Sequence, residues 1–320
     1  MRLSVVIPFY NEEENIQLLH TKLKSALDKL DSVGELDDYE IVYVDDGSTD
    51  STLSILESIQ ASDSTVVVLS LRRNFGQTAA LAAGFDFFRG DVVVTMDGDL
   101  QNDPADIKKL LEQVSTYDLV SGWRRERKDP LFSRRIPSMV ANWIISVVTG
   151  VKLHDYGCSL KAYKRDVIKN LRLYGEMHRF IPAVASWYGI KVGEVVISHQ
   201  PRLRGTSKYG LYRTVKVILD LLTVKFLQSY STRPIQFFGP LGLTSSLVGF
   251  LFLLYLTFRK LIFVESIGGR PLLLLGALLI IVGIQIIGMG LLSEILVRIY
   301  HESQRKPIYV IKKIIGTDNR

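Results

Sequence analysis

The sequence predicts an α/β protein with a mostly parallel sheet, followed by a pair of membrane-spanning helices. Two observations carry this reading. Through residues 1–120, short apolar runs alternate with amphipathic stretches, the order expected when helices cover both faces of a parallel sheet. Further on lie two segments free of charge, 24 residues at 235–258 and 21 residues at 272–292. A helix needs about 20 apolar residues to cross a bilayer core.

The elements follow in order. Leu3 to Ile7 reads as a buried strand that Pro8 stops. Asn11 and Glu14 form a capping-box-like pair, opening a helix whose apolar face is Ile16, Leu19, Leu23, Leu27 and Leu30. Glu40 to Val44 is a second strand and Ser51 to Ile59 a second helix. Val66 to Leu71 is a third strand, Gln77 to Phe88 a third helix, and Asp91 to Met96 a fourth strand. Asp103 caps the next helix, with Pro104 at its first position. Tyr117 to Ser121 and Val192 to Ile197 are later strands.

Trp123 to Arg135 is strongly basic, and an apolar stretch at 136–150 is too short to span a bilayer. Tyr212 to Gln228 is an amphipathic helix suited to a membrane interface. The division expected is a catalytic domain at 1–211, an interfacial helix and linker at 212–234, two spans within 235–292, and a tail at 293–320. The tail segment Pro307 to Ile315 reads as a strand, with Ile308 to Ile311 as its apolar run. Such a strand needs a partner, either the main sheet or a second copy of the chain, so a homo-oligomer is expected.

Charge sets the topology. The 320 residues carry a net charge of +6, and a mean hydropathy of +0.18 is high for a chain with 22% charged residues. Arg213, Lys216, Lys225 and Arg233 precede the first span, and Arg298, Arg305, Lys306, Lys312 and Lys313 follow the second. Positive flanks stay inside, which places the catalytic domain and both termini in the cytoplasm. The absence of a signal-peptide pattern at Met1 agrees with this expectation. Basic charge beside apolar spans favours a membrane over nucleic acid. The single cysteine, Cys158, excludes a disulfide within the chain, and no pair of the five histidines has metal-ligand spacing.

The chemistry sits at strand ends, where ligands bind in open parallel sheets. Strand 4 ends in Asp97-Gly98-Asp99. Two carboxylates at one turn repel each other, and a hard cation such as Mg²⁺ or Mn²⁺ relieves the repulsion while bridging to phosphate. A polar Asp-Gly turn is the plain alternative. After strand 2, Asp45 and Asp46 are placed to accept from a base or a ribose, whereas Ser48 or Asp50 equally serves as a helix cap. After strand 1, Tyr10 is placed to stack on a base and Glu12 to accept from a ribose. Glu12 also suits the electropositive first turn of a helix. Neither G-x-G-x-x-G nor G-x-x-x-x-G-K-[ST] is present, which argues against a dehydrogenase and an ATPase.

These motifs resemble glycosyltransferase family 2. The resemblance rests on Val-Ile-Pro-Phe-Tyr-Asn-Glu-Glu at 6–13, Val-Asp-Asp-Gly-Ser-Thr-Asp at 44–50, Arg-Asn-Phe-Gly-Gln at 73–77 and Met-Asp-Gly-Asp-Leu-Gln at 96–101. Ser-Gly-Trp-Arg at 121–124, Asp-Tyr-Gly-Cys at 155–158 and Arg-Leu-Arg-Gly-Thr-Ser-Lys-Tyr at 202–209 are similar to the dolichyl- and undecaprenyl-phosphate sugar transferases. The helix pair resembles the bactoprenol glucosyltransferase branch. The resemblance implies a GT-A-type, Rossmann-like fold. It implies that Pro8, Tyr10, Glu12, Val44 and Asp46 hold the nucleoside and that Gly98 lies against the donor. Asp97, Asp99 and Gln101 would hold or support Mg²⁺ or Mn²⁺. Arg124, Arg134, Arg204 and Lys208 would meet the donor phosphates, and Arg124, Arg127, Arg135, Arg202 and Lys208 the lipid phosphate. Asp155 is a candidate base or acceptor-positioning residue.

The reaction implied is inverting transfer of a hexose from a nucleotide sugar, UDP-glucose first, onto a polyprenyl phosphate such as undecaprenyl phosphate. GDP-mannose or another UDP-sugar is the alternative donor, and a non-catalytic membrane scaffold or flippase subunit is the alternative of a different class.

Overall fold

The computed structural model describes residues 1–125, 149–169, 177–186, 189–200, 235–263, 270–303 and 308–316, with isolated residues at 142, 145, 146, 171, 173 and 266. These fall into two compact units, one of residues 1–225 with 307–320 and one of residues 226–306.

In the first unit, β1 (Arg2–Phe9), α1 (Ile16–Ser32), β2 (Asp38–Asp45), α2 (Thr52–Ser62), β3 (Val66–Leu71), α3 (Gln77–Phe87) and β4 (Val92–Thr95) follow in the expected alternation. After a 3₁₀ turn at Pro104–Asp106 come α4 (Ile107–Gln113), β5 (Leu119–Trp123), β6 (Lys161–Lys164), α5 (Arg165–Lys169), α6 (Ile181–Ser186) and β7 (Val192–Val196). The sheet is completed by β8 (Ile311–Ile315) in the order β7-β5-β6-β4-β1-β2-β3-β8. β1 pairs in parallel with β2 and β4, β2 with β3, and β5 with β7. β6 runs antiparallel between β4 and β5, so β4 and β5 point the same way and end on the same edge.

The period-2 alternation of the strands divides their side chains between two cores. Leu3, Val5, Ile7, Ile41 and Tyr43 face the layer of α1, α2 and α4. Val6, Val42 and Val44 face the layer of α3, α5 and α6. The five apolar residues predicted for α1 are all buried. Burying each stabilises the unit by about 1.5–3 kcal/mol relative to exposure.

Three local expectations change. The Asn11–Glu14 capping box does not form, because α1 starts at Ile16 with Asn15 as its cap. Asn11 instead adopts φ 51° and accepts a hydrogen bond from the Thr49 amide at 2.8 Å, tying the end of β1 to the loop after β2. The tail strand, expected over Pro307 to Ile315, is shorter and occupies only Ile311–Ile315. Its partner is the chain's own sheet: Val68 faces Ile315 and Leu69 faces Ile314 in antiparallel register. Tyr309 Oη donates to Asp86 at 2.7 Å and fastens the approach to β8. The fifth strand begins at Leu119, two residues later than expected.

The second unit is a hairpin of α7 (Ile235–Phe263) and α8 (Pro271–Ser303). Both contain segments long and apolar enough to cross a membrane, Phe237–Phe263 and Pro271–Ser293. Leu243, Leu261, Leu274 and Leu292 are each more than 60% exposed, which suits lipid as the surrounding medium. The helices meet along small residues. A Cβ on Gly242 would come within 2.5 Å of the Gly283 carbonyl, and one on Gly249 within 2.6 Å of the Gly276 carbonyl. The Ser245 hydroxyl donates to the Leu279 carbonyl at 2.9 Å.

Candidate active site

The parallel pairing of β4, β1 and β2 brings three predicted loops to one edge. The loops after β1 and β2 are laced together. The Asp46 amide donates to the Phe9 carbonyl, the Asn11 amide to Ser48 Oγ and the Glu12 amide to Thr52 Oγ1. Glu12 Oε2 accepts from Asn15 Nδ2 at 2.7 Å, within the turn that leads into α1. Pro8 and Tyr10 are partly open at the cleft edge, and Val44 is fully buried in the sheet.

Asp46 has a further task. Its two oxygens accept the amides of Phe75 and Gly76 at 2.8 and 2.9 Å, fixing the segment that enters α3. Burial raises its carboxyl above the ordinary range, and the two amides pull against that shift. Gly47, at φ 67°, makes this approach possible: a Cβ there would sit 2.3 Å from the Arg73 carbonyl carbon. One residue into α3, Gln77 Nε2 donates to Asp97 Oδ1 at 2.7 Å. A continuous set of contacts therefore runs from Asp46 through residues 75–77 to Asp97.

The Asp97–Asn102 turn is tightly specified. A Cβ on Gly98 would lie 2.5 Å from the Phe9 ring. Leu100 is buried at φ 62°, a conformation that strains a residue with a side chain. Asp99 Oδ1 accepts the Gln101 amide at 3.2 Å, and the Gln101 carbonyl accepts from Gln200. Surrounding protein pushes the Asp97 carboxyl up to about 6. The Asp99 charge adds to the shift, while Ser159, Arg124 and Lys161 oppose it.

This repulsion tests the turn as a metal site. Two hard oxygen donors crowded at one turn, with Asp97 holding its proton above the ordinary range, fit a divalent cation such as Mg²⁺ or Mn²⁺. Among the described residues no group of three or more His, Cys, Asp or Glu side chains surrounds one point. The protein would thus give such a cation the carboxylates of Asp97 and Asp99, and phosphate and water would complete its shell.

On the other side of β6 the arrangement is different. Arg124 Nε and Nη2 donate to the two oxygens of Asp155 at 2.7 and 3.0 Å, and Asp155 is 2% exposed. Burial alone would weaken the guanidinium's hold on its proton. The Asp155 charge overrides this and holds Arg124 well above its ordinary value. Lys161, at the start of β6, is buried and donates to the carbonyls of Tyr156 and Cys158. Burial lowers its ammonium pKa, and the nearby Asp155 and Asp97 charges counter this. The Cys158 thiol is pushed up to about 11, chiefly by burial, so it stays protonated at neutral pH and packs as a small apolar group.

Sequence reasoning missed Gln77, Ser159, Lys161 and Glu194. Gln77 lies inside a quoted motif, but nothing in the pattern connects it to Asp97. Ser159 joins two strands to the turn, accepting from Asn102 Nδ2 at Oγ while its carbonyl accepts from Thr95. The expected phosphate contacts Arg127, Arg134, Arg135, Arg202, Arg204 and Lys208 lie outside the described residues, as do the stretch 126–141 and the helix at 212–228.

With this geometry in view, comparison with known proteins is decisive. The family model described as glycosyl transferase family 2 matches residues 4–172, which include every loop just described up to Lys161. The chain belongs to glycosyltransferase family 2. This family-2 enzyme is 44% identical to dodecaprenyl-phosphate galacturonate synthase of Rhizobium johnstonii, over 100% of its own length and 95% of that protein. It is 38% identical to undecaprenyl-phosphate 4-deoxy-4-formamido-L-arabinose transferase of Pseudomonas aeruginosa, over 98% of its length and 90% of the relative. Its fold is shared with glucosyl-3-phosphoglycerate synthase of Mycobacterium tuberculosis, solved with Mn²⁺, uridine diphosphate and glucosyl-3-phosphoglycerate. The TM-score is 0.53 at 20% identity, covering 71% of this chain and 79% of the other.

Proposed function

We propose that the enzyme transfers a sugar from a uridine-diphosphate donor to a polyprenyl phosphate at the membrane surface, in a single displacement that inverts the anomeric centre. The observation that carries this reading is that one chain combines the Asp97–Asp99 carboxylate turn with two helices of membrane-spanning length. Its alignment over essentially its full length with polyprenyl-phosphate sugar transferases supports the same acceptor.

The chemistry follows from the residues. An oxygen of the acceptor phosphate attacks the anomeric carbon as the bond from that carbon to the diphosphate breaks. A phosphate monoester is already anionic near neutral pH and needs little help from a general base. Asp155 therefore acts by holding Arg124, whose three remaining N–H groups are suited to phosphate oxygens. Asp46 fixes residues 75–77, and Gln77 in turn orients Asp97. Asp97 and Asp99 would hold a divalent cation, which would supply charge neutralisation to the departing diphosphate. Gln101 supports the turn through its backbone.

The donor sugar is a finer choice. The 44% relative is named for galacturonate, which moves the first choice from glucose to a galacturonate donor, with glucose and formamido-arabinose donors next. Topology has a supporting argument as well. β8 follows both apolar helices in sequence, yet it pairs with β3, which precedes them. One sheet cannot be divided by a bilayer, so the chain crosses an even number of times, in keeping with a cytoplasmic catalytic unit.

The test incubates purified full-length protein with undecaprenyl phosphate, Mn²⁺ or Mg²⁺ and each radiolabelled donor in turn. Label extracted into the lipid phase with one donor, and lost when metal is chelated, is the expected result. Absence of label with every donor would overturn the proposal.

A further inference from the structure

The cleft edge at β5 carries a histidine with no role so far. The His154 side chain is 67% exposed, yet it is held from three sides. Its ring stacks on Trp123 with centroids 4.1 Å apart and planes at 15°. Its Nδ1 lies 2.7 Å from Glu194 Oε2. Its backbone amide donates to both oxygens of the same Glu194, which also accepts the Asp155 amide at 3.0 Å.

Glu194, in β7, is largely buried and spends its carboxylate on residues 154 and 155 alone among the described residues. A carboxylate only accepts, so Nδ1 carries the hydrogen; Nε2, the ring's remaining hydrogen-bonding atom, accepts from a protonated phosphate oxygen when the ring is neutral and donates to an ionised one when it is an imidazolium. Among the described residues nothing is bonded to Nε2. A surface histidine paired to a glutamate for stability alone would contribute little and would gain nothing from being immobilised in addition.

Its place in the fold suggests what it meets. Trp123 is the last residue of β5, which ends on the same edge as β4. Two strand spacings, about 10 Å, separate those ends. Arg124, next to Trp123, lies within electrostatic reach of Asp97 and holds Asp155, the neighbour of His154. The nucleoside loops stand on the opposite side of β4, after β1 and β2. His154 therefore flanks the reacting centre on the side away from the donor's base, where an incoming acceptor must stand.

We infer that His154 is an acceptor-positioning residue: its imidazole, oriented by Glu194 and Trp123, hydrogen-bonds a phosphate oxygen of the prenyl phosphate and aims the opposite oxygens at the sugar. This rests on the acceptor being a prenyl phosphate, as proposed above.

The experiment uses full-length protein in detergent. Initial rates are measured against undecaprenyl phosphate at saturating donor, and binding of a short water-soluble prenyl phosphate is titrated calorimetrically without donor. His154→Ala is expected to raise the acceptor KM and weaken prenyl-phosphate binding by about tenfold, the loss of one hydrogen bond to a charged group. UDP affinity in Mn²⁺ should stay within about twofold of the unsubstituted protein on the same scale. His154→Gln, whose amide can both donate and accept, should recover part of the loss. Inorganic phosphate should compete weakly and with less dependence on His154 than the prenyl ester.

Unchanged acceptor KM and binding in His154→Ala would overturn the inference while leaving sugar transfer intact. An equal loss of UDP affinity would overturn it too, because residue 154 would then only be shaping the Asp155 loop. If the unsubstituted protein transfers no sugar yet binds prenyl phosphate through His154, the proposed function falls and prenyl-phosphate binding at His154 stands without the positioning role.

Discussion

The carboxylates of Asp97 and Asp99 and the carboxylate of Asp155 stand on either side of β6 in opposite electrostatic states. At the β4 end two negative charges crowd one turn, and Asp97 is pushed up to about 6 by burial and by Asp99. At the β5 end Asp155 is neutralised by a two-pronged contact with Arg124. The difference teaches which carboxylate is available. The first pair crowds like charge at one turn, a repulsion that a divalent cation and its diphosphate would relieve. The second has spent its charge inside the protein, positioning a guanidinium.

Substitutions should separate the two sites, and the largest effect belongs to the β4 turn. Asp99→Ala should lower the rate of sugar transfer by at least about a hundredfold, with Mn²⁺ binding lost in an electron paramagnetic resonance titration and the melting temperature little changed. If that variant transferred sugar at the original rate, the turn would not be the charge-handling site. Asp155→Ala should behave in the reverse way. It strands a buried guanidinium and should destabilise the protein by about 3–5 kcal/mol, seen in denaturant unfolding, while Mn²⁺ still binds.

Gln77→Ala sharpens the contrast from within the first site. Removing the donor 2.7 Å from Asp97 should cost about tenfold in metal affinity or turnover, as losing a group that orients a ligand typically does. Its stability should match the parent protein.

A fourth aspartate, Asp63, extends the comparison with a smaller effect. Burial works against the Asp63 charge, but Thr65 and Lys24 hold its carboxyl below the ordinary value. His20 lies beside it, with Nδ1 3.0 Å from Tyr43 Oη and Nε2 3.7 Å from Asp63. Burial lowers the His20 pKa, with Lys24 assisting and Asp63 opposing. The unfolded chain then binds this proton more tightly than the folded one. Stability should fall as pH drops below about 6.5 and level off beneath the folded value. His20→Gln should flatten that part of the melting-temperature profile. An unaltered profile would show that His20 does not supply it.

The order of strands and helices up to β4 was legible in the sequence because each element carries its own signal. Leu3 to Ile7 is uniformly apolar, and the 3–4 spacing of Ile16 to Leu30 admits one buried face. The Asp97–Asp99 turn was legible from its place after an apolar strand. What escaped depends on partners distant in sequence. Asn11 and Glu14 have the spacing of a capping box, but Asn11 gains more from the Thr49 amide across the loop. Lys161 looks like the solvent face of a strand, and only the antiparallel insertion of β6 between β4 and β5 buries it. The contact between Asp155 and Arg124 spans 31 residues, and no local pattern announces it.

The position of β8 sets the order in which this enzyme can be built. The free edge of β3 receives its last strand only after the ribosome has made both apolar helices. Until then the nascent sheet presents a row of unpaired amides and carbonyls, the kind of surface that invites wrong pairings. Completing the catalytic unit is therefore a late event that follows synthesis of the hydrophobic hairpin. A gene fragment cut before residue 235, however soluble, would encode a sheet that has lost its closing strand.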